Sequence, residues 1–310
     1  AAPLDLRGRI NRTPFERRAD FRQWSGQLYA AFDYADLARL AHLLDLPLAL
    51  SRGEGAARVW VDFERLQLKR TVADLALAGV DVRLAAGLEP LQLATLSGRL
   101  GGGRTGDADS LSAGGLAFRT ADGLGFGPAD VKVQRTPGAG GKPLRTEVEA
   151  SGLDLGALVA LSNRVPLPQP ARALLARHEP RGLLRTLRAD WRGTLDEASD
   201  YSLKSDFTGL AIRAQPAPAE APADTPGQPG FEGLTGSIEA TPAGGSLRLA
   251  SRNAVLEFPG VFLDPRLAFE SIDAVARWSN RGGLDVKLEL LTLRNPDVEL
   301  SATGNWRATG

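Results

Sequence analysis

One nine-residue phrase occurs twice in this chain, and its return constrains the fold more than any other feature. Phe32-Asp33-Tyr34-Ala35-Asp36-Leu37-Ala38-Arg39-Leu40 comes back as Ala150-Ser151-Gly152-Leu153-Asp154-Leu155-Gly156-Ala157-Leu158. Further matches follow in the same order. Val59, Val61 and Phe63 correspond to Leu187, Ala189 and Trp191, and Leu77 to Val82 correspond to Phe207 to Ile212. Leu96 to Leu100 correspond to Leu234 to Ile238. The spacing widens where the second copy carries Pro-rich sequence, near Val165 to Pro170 and Gln215 to Pro229. Insertions that fall between conserved segments mark a repeated structural unit with variable loops. A partial third copy echoes Leu247, Leu249, Leu256 and Pro259 as Leu284, Val286, Leu293 and Pro296. The expected organisation is a first unit over 1–145 and a second over 146–270 with a loop at 215–229. A third would begin at 271–310. Such an array reads as a segment of something longer. A chain built by repetition favours a long surface over a single active site.

The dominant hydrophobic period is two. Val59, Val61 and Phe63 alternate with Arg58, Asp62 and Glu64. Val80, Val82 and Leu84 continue the pattern, as do Leu247 and Leu249, and then Leu284, Val286 and Leu288. Alternation of this kind predicts antiparallel strands with one dry and one wet face. Gly (35) and Pro (20) punctuate the strands often enough for a meander. Gly244-Gly245 and Gly282-Gly283 are expected as hairpin turns. Helical spacing is confined to Ala35–Leu44, with Asp33 or Asp36 as cap, to Asp154–Asn163, and to Gln169–His178 after Pro168. Each is too short to persist alone and must dock on the sheet. Residues 215–229 have no apolar period and should form an extended, flexible loop.

Composition narrows the function. Lys plus Arg and Asp plus Glu both number 37, so the formal charge is zero, which argues against a nucleic-acid partner. The arginines at 7, 9, 12, 17, 18 and 22 read as a solvated strand face and loop. Without cysteine there is no disulfide or thiol chemistry. No apolar run reaches the ~18 residues a spanning helix needs. His42 and His178, the two histidines, fall at predicted helix ends without metal-ligand spacing. Pro137 to Pro143 imitates a phosphate loop but lacks its first glycine and its Ser or Thr. Gly123 to Gly127 is followed by a strand where a dinucleotide fingerprint needs a helix. The carboxylates of Asp62, Glu64, Asp74 and Asp81 interleave with apolar residues and point to the wet face. No catalytic residue, metal site or cofactor is therefore expected, and the reading is non-enzymatic.

Aromatic content is 6%, so the dry face is mostly Leu, Val and Ala. Carbohydrate and nucleic-acid surfaces normally use aromatic platforms. An aliphatic face suits either a second sheet, as in a closed β-sandwich, or hydrocarbon chains. Hydrocarbon chains need such cover in water, because each exposed methylene costs ~0.8 kcal/mol.

Several stretches also resemble a known family. They include Gly26-Gln27-Leu28-Tyr29-Ala30, Arg58 to Phe63, Leu96 to Leu100, Leu183 to Gly193, Pro229 to Gly236 and Glu257 to Phe262. Together they are similar to the central region of YhdP-like proteins, of the AsmA-like group in Gram-negative bacteria. The resemblance implies an extended, twisted sheet of repeated antiparallel strands forming a half-open apolar groove, with a few short amphipathic helices. It also implies a periplasmic protein held to the inner membrane by a helix that this segment lacks. Its partners would be phospholipid acyl chains, with both membranes engaged through parts outside the segment. The groove would be lined by Val59, Val61, Phe63, Val80, Val82, Leu84, Leu247, Leu249, Leu284, Val286 and Leu288. The rival reading is a structural spacer with a filled interior.

Overall fold

Sustained alternation of apolar and polar residues produces long strands. The computed structural model describes residues 4–11, 24–37, 49–65, 67–138, 140, 143–194, 200–220, 222 and 225–308. The chain divides into two compact units, one of Ala1–Ala150 with Leu161–Pro166, the other of Ser151–Ala160 with Leu167–Gly310. The first holds β1 (Leu4–Asn11), β2 (Ser25–Asp36), β3 (Ala49–Glu64), β4 (Gln67–Arg83), β5 (Leu91–Thr105), β6 (Ala108–Thr120) and β7 (Gly125–Thr136). It also holds most of β8 (Arg145–Asp154). The second holds α1 (Leu155–Ala160), α2 (Gln169–His178), β9 (Arg181–Arg192), β10 (Tyr201–Ile212), β11 (Gly230–Thr241) and β12 (Gly244–Glu257). β13 (Arg266–Ser279), β14 (Asp285–Arg294) and β15 (Glu299–Arg307) complete it.

Within each unit every strand pairs with its neighbour in chain order, and the paired strands run antiparallel. The first and last strands of a unit do not pair with each other, so neither sheet closes on itself. Among the described residues, no second sheet faces the first in either unit. The fold is therefore mainly β and open, and the sandwich alternative does not form.

The repeat has a backbone signature. Gly79 in β4 and Gly209 in β10 are equivalent positions, and both are left-handed, at φ +58° and +62°. Nothing lies within 4 Å of where a Cβ would project at either site, so backbone conformation rather than space demands glycine. The β10–β11 register shifts on either side of Leu210, next to this residue. Replacing Gly209 with alanine is expected to cost about 1–2 kcal/mol, read as a lowered urea midpoint with unchanged m-value.

Several local expectations need correction. Ala35 and Asp36 belong to β2, where they pair with Gly55 and Glu54, so they do not open a helix. Residues 38–44 of that expected helix, including His42, lie outside the described residues. In the second copy the phrase does turn helical: Asp154 ends β8 and its Oδ1 accepts the Ala157 amide at 3.0 Å, capping α1. α1 stops at Ala160, short of Asn163, because the Arg164 and Val165 amides both bond Leu161 O in a terminal turn. The buried helical residue is Ala157 rather than Leu155, Leu158 or Val159, which are half-buried. α2 spans Gln169–His178 as expected, and His178 at its C-terminal end accepts the Arg213 amide on its carbonyl.

Gly244 and Gly245 open β12, and the turn before it is Pro242-Ala243. The described residues of the Pro-rich stretch are tied at their base. Gln215 and Gln228 exchange both backbone hydrogen bonds, and the Gly227 amide bonds Pro259 O.

Candidate apolar binding face

Directly paired residues of an antiparallel sheet place their side chains on the same face, so the register defines rows across each unit. In the first unit one row runs Leu6, Ala30, Val59, Ala73, Leu100, Ala113 and Val131, one residue from each of β1 to β7. The next runs Gly8, Leu28, Val61, Thr71, Gly102, Leu111 and Val133. In the second unit a row runs Leu187, Ser205, Ile238, Leu247, Ala276, Leu288 and Gly304 across β9 to β15. Beside it lie Ala189, Leu203, Ala240, Gly245, Trp278, Val286 and Trp306. All four rows are almost free of charge.

The opposite face is ionic. Lys204 meets Glu239 at 2.5 Å, Arg307 meets Asp285 at 2.6 Å and Arg99 meets Asp74 at 2.5 Å. The hydrogen bond from Arg99 holds the Asp74 carboxyl below the usual aspartate range, against some desolvation. Arg52 pairs with Asp81 at 3.7 Å. Each sheet is therefore amphipathic through its whole width.

The apolar rows are covered unevenly. In the second unit Phe207, Leu234, Ala254 and Ile272 form a sealed cluster, Ile272 being only 2% exposed. Every hydrophobic side chain packed against this cluster comes from the same sheet, among them Leu184, Phe231, Leu249, Phe269 and Leu293. Away from this centre the rows are open. Leu6 is 66% exposed, Leu111 67% and Trp306 57%. Ordinary monomers rarely leave contiguous apolar patches uncovered.

The residues expected at the site fall into three environments. Val59, Val61, Phe63, Val286 and Leu288 are half-buried members of the apolar face, the Phe63 ring lying against Gly26. Leu247 and Leu249 are also half-buried and pack against the sealed cluster. Val80 and Val82, paired with Leu93 and Leu91, are 3% and 7% exposed. Leu84 lies half-buried just past β4, and Leu284 is exposed just before β14. The structure brings Leu247 and Leu288 into one row and sets Val286 in the next. It adds Leu4, Leu6, Ile10, Leu28, Leu68, Leu100, Leu111, Leu300 and Trp306, all exposed. Leu4, Leu6, Leu28 and Leu300 carried the same alternation in shorter runs. Leu100 and Leu111 did not, being flanked by glycine and serine.

Among the described residues, no three His, Asp or Glu side chains converge as metal ligands would. Likewise, no helix among them is long and apolar enough to cross a membrane. An open, amphipathic β-meander built from repeats is the class of protein that the fold and face define. The chain belongs to the YhdP family, whose model, described as YhdP protein, matches residues 4–309. Membership suggests an envelope protein of the AsmA-like type. No curated protein and no solved structure matches the chain.

Proposed function

We propose that the apolar rows shield phospholipid acyl chains. The chain would then be part of a periplasmic protein, tethered to the inner membrane, that conducts lipid between the two membranes. The observation that carries this reading is the continuity of uncharged rows across seven strands in each unit, with large side chains left uncovered at Leu6, Leu111 and Trp306. Hydrocarbon needs no directional contact, only area withdrawn from water at roughly 25 cal/mol per Å². Head groups would remain in solvent, and the process would require no nucleophile, metal or cofactor. The sealed cluster around Ile272 favours a spacer reading for that part of the second unit alone.

The test is site-specific photo-crosslinking in cells, followed by mass spectrometry of the adducts. Probes at Val59 and Val286 are expected to capture phospholipid, while probes at Arg58 and Lys287, on the ionic face, capture none. Equal capture from both faces, or none from either, would defeat the proposal.

A further inference from the structure

The ionic face of the first unit carries two rows in which an aromatic pair and glycines stand among the charges. One runs Arg9, Gln27, Asp62, Arg70, Gly103, Ser110 and Gln134, in register from β1 to β7. Its neighbour runs Arg7, Tyr29, Trp60, Val72, Gly101, Ser112 and Lys132. Two adjoining shallow depressions, of about 500 and 420 Å³, lie along these rows and share Asp62, Arg70 and Val72.

Three features of this surface point to a ligand. Tyr29 and Trp60 form a tilted aromatic pair with ring centroids 5.3 Å apart, partly exposed on the face where charge predominates. In the second unit Trp191, Tyr201, Trp278 and Trp306 fall instead on the apolar rows. The cations are also unequal. Arg7 is matched by Asp5 and Arg99 by Asp74, and these two guanidinium groups lie over the Tyr29 and Trp60 rings, 5.9 and 5.8 Å from their centroids. Arg9, Arg70 and Lys132 have no carboxylate partner among the described residues and are exposed. On the second unit Lys204, Arg277 and Lys287 pair with Glu239 or Glu289, while Arg188 and Arg248 are exposed and, like Arg9, meet no carboxylate among the described residues. Finally, the positions between the aromatic pair and Lys132 are Val72, Gly101 and Ser112, with Gly103 in the adjoining row, so small side chains leave a low strip.

We infer that this strip is a binding surface for an extended acidic oligosaccharide. Flat aromatic rings stack on pyranose faces, and planar Gln, Asp and Arg side chains hydrogen-bond to hydroxyls. The three unmatched cations would receive carboxylates. Adjacent strands are about 4.8 Å apart, close to the advance of one sugar in an extended β-1,4-linked chain. A glycan lying across the strands therefore meets one residue of each row per sugar. An anionic phospholipid suits this face poorly, because its acyl chains would have no apolar surface here. A polynucleotide would lack the net basic field that its binding depends on, since the chain's formal charge is zero.

This inference concerns the face opposite the proposed lipid rows, so either can fail without the other. The test is isothermal titration of the full chain with three length-matched oligosaccharides. The first is a muramyl chain, alternating N-acetylglucosamine with its lactyl ether. The second is a uronate-containing chain, and the third is neutral chito-oligosaccharide. Saturable binding of either acidic series, tighter than the neutral one, is expected, and the tighter acidic series identifies where the carboxylate sits. Trp60→Ala should weaken it about tenfold or more, and Trp60→Phe should restore most of the loss. Arg70→Gln should reduce the preference for acidic over neutral chains, while Lys204→Gln in the second unit should change nothing. Binding unaffected by Trp60→Ala in a variant with unaltered circular dichroism would overturn the inference. So would no binding of any oligosaccharide, or tighter binding of an RNA oligonucleotide or of anionic lipid vesicles.

Discussion

Ile272→Asp is expected to destabilise the second unit by about 3–5 kcal/mol, a large share of the roughly 5–15 kcal/mol that holds a typical domain folded. Ile272 is sealed between Ser251 and Leu293 in the sheet and packs with Phe207, Leu234 and Ala254. A carboxylate there would have neither water nor a cation to meet, and leaving a charge unpaired in such a place is among the costliest single changes. Leu288→Asp is the informative comparison. Leu288 lies on the same apolar face but is only half-buried, opposite Gly304, which has no side chain to confine it. Its carboxylate can reach solvent, and the expected loss is about 1 kcal/mol. Urea denaturation followed by circular dichroism separates the two cases. Equal destabilisation would mean that the open rows are as enclosed as the cluster.

The second large effect is functional. The pair Val59→Asp and Val61→Asp places two carboxylates in adjacent uncovered rows of the first unit. If those rows hold acyl chains, each carboxylate would have to be desolvated against hydrocarbon, at a cost of several kcal/mol. Phospholipid recovered with the purified chain should then fall by more than about tenfold, since 1.4 kcal/mol is already a factor of ten. Circular dichroism should change little. Quantitative mass spectrometry of organic extracts, normalised to protein, gives the ratio. An unchanged lipid yield in the folded variant would remove these rows from any lipid path.

The faces of the strands were legible because alternation survives in any residue order that serves a half-wet sheet. Val59 with Val61, and Val286 with Leu288, could be assigned to the apolar face from spacing alone. Alternation does not report what lies above that face. Val82 and Val59 therefore looked equivalent, although Val82 is almost sealed and Val59 is not. The left-handed Gly79 stands between their stretches of β4 and β3 pairing, and a single-residue conformational change of that kind leaves no hydrophobic period. The helix expected from Ala35 failed at its start for a related reason. Asp is suited both to the end of a strand and to a helix cap, so the phrase does not say where one ends and the other begins. Composition is silent on placement: a 6% aromatic content cannot register that Tyr29 and Trp60 stand directly opposite each other.

Pairing each strand only with its chain neighbours also shapes how such a protein is made and altered. No strand waits for a distant partner, so loop-closure entropy stays small at every step and order can advance hairpin by hairpin as the chain is delivered. The energetics approach those of a one-dimensional stack, in which a unit's stability depends on itself and on its immediate neighbours. A duplicated or deleted hairpin would then leave every remaining pairing intact and every side chain on its original face. Length becomes a quantity that evolution, or an engineer, can change without redesigning the cross-section.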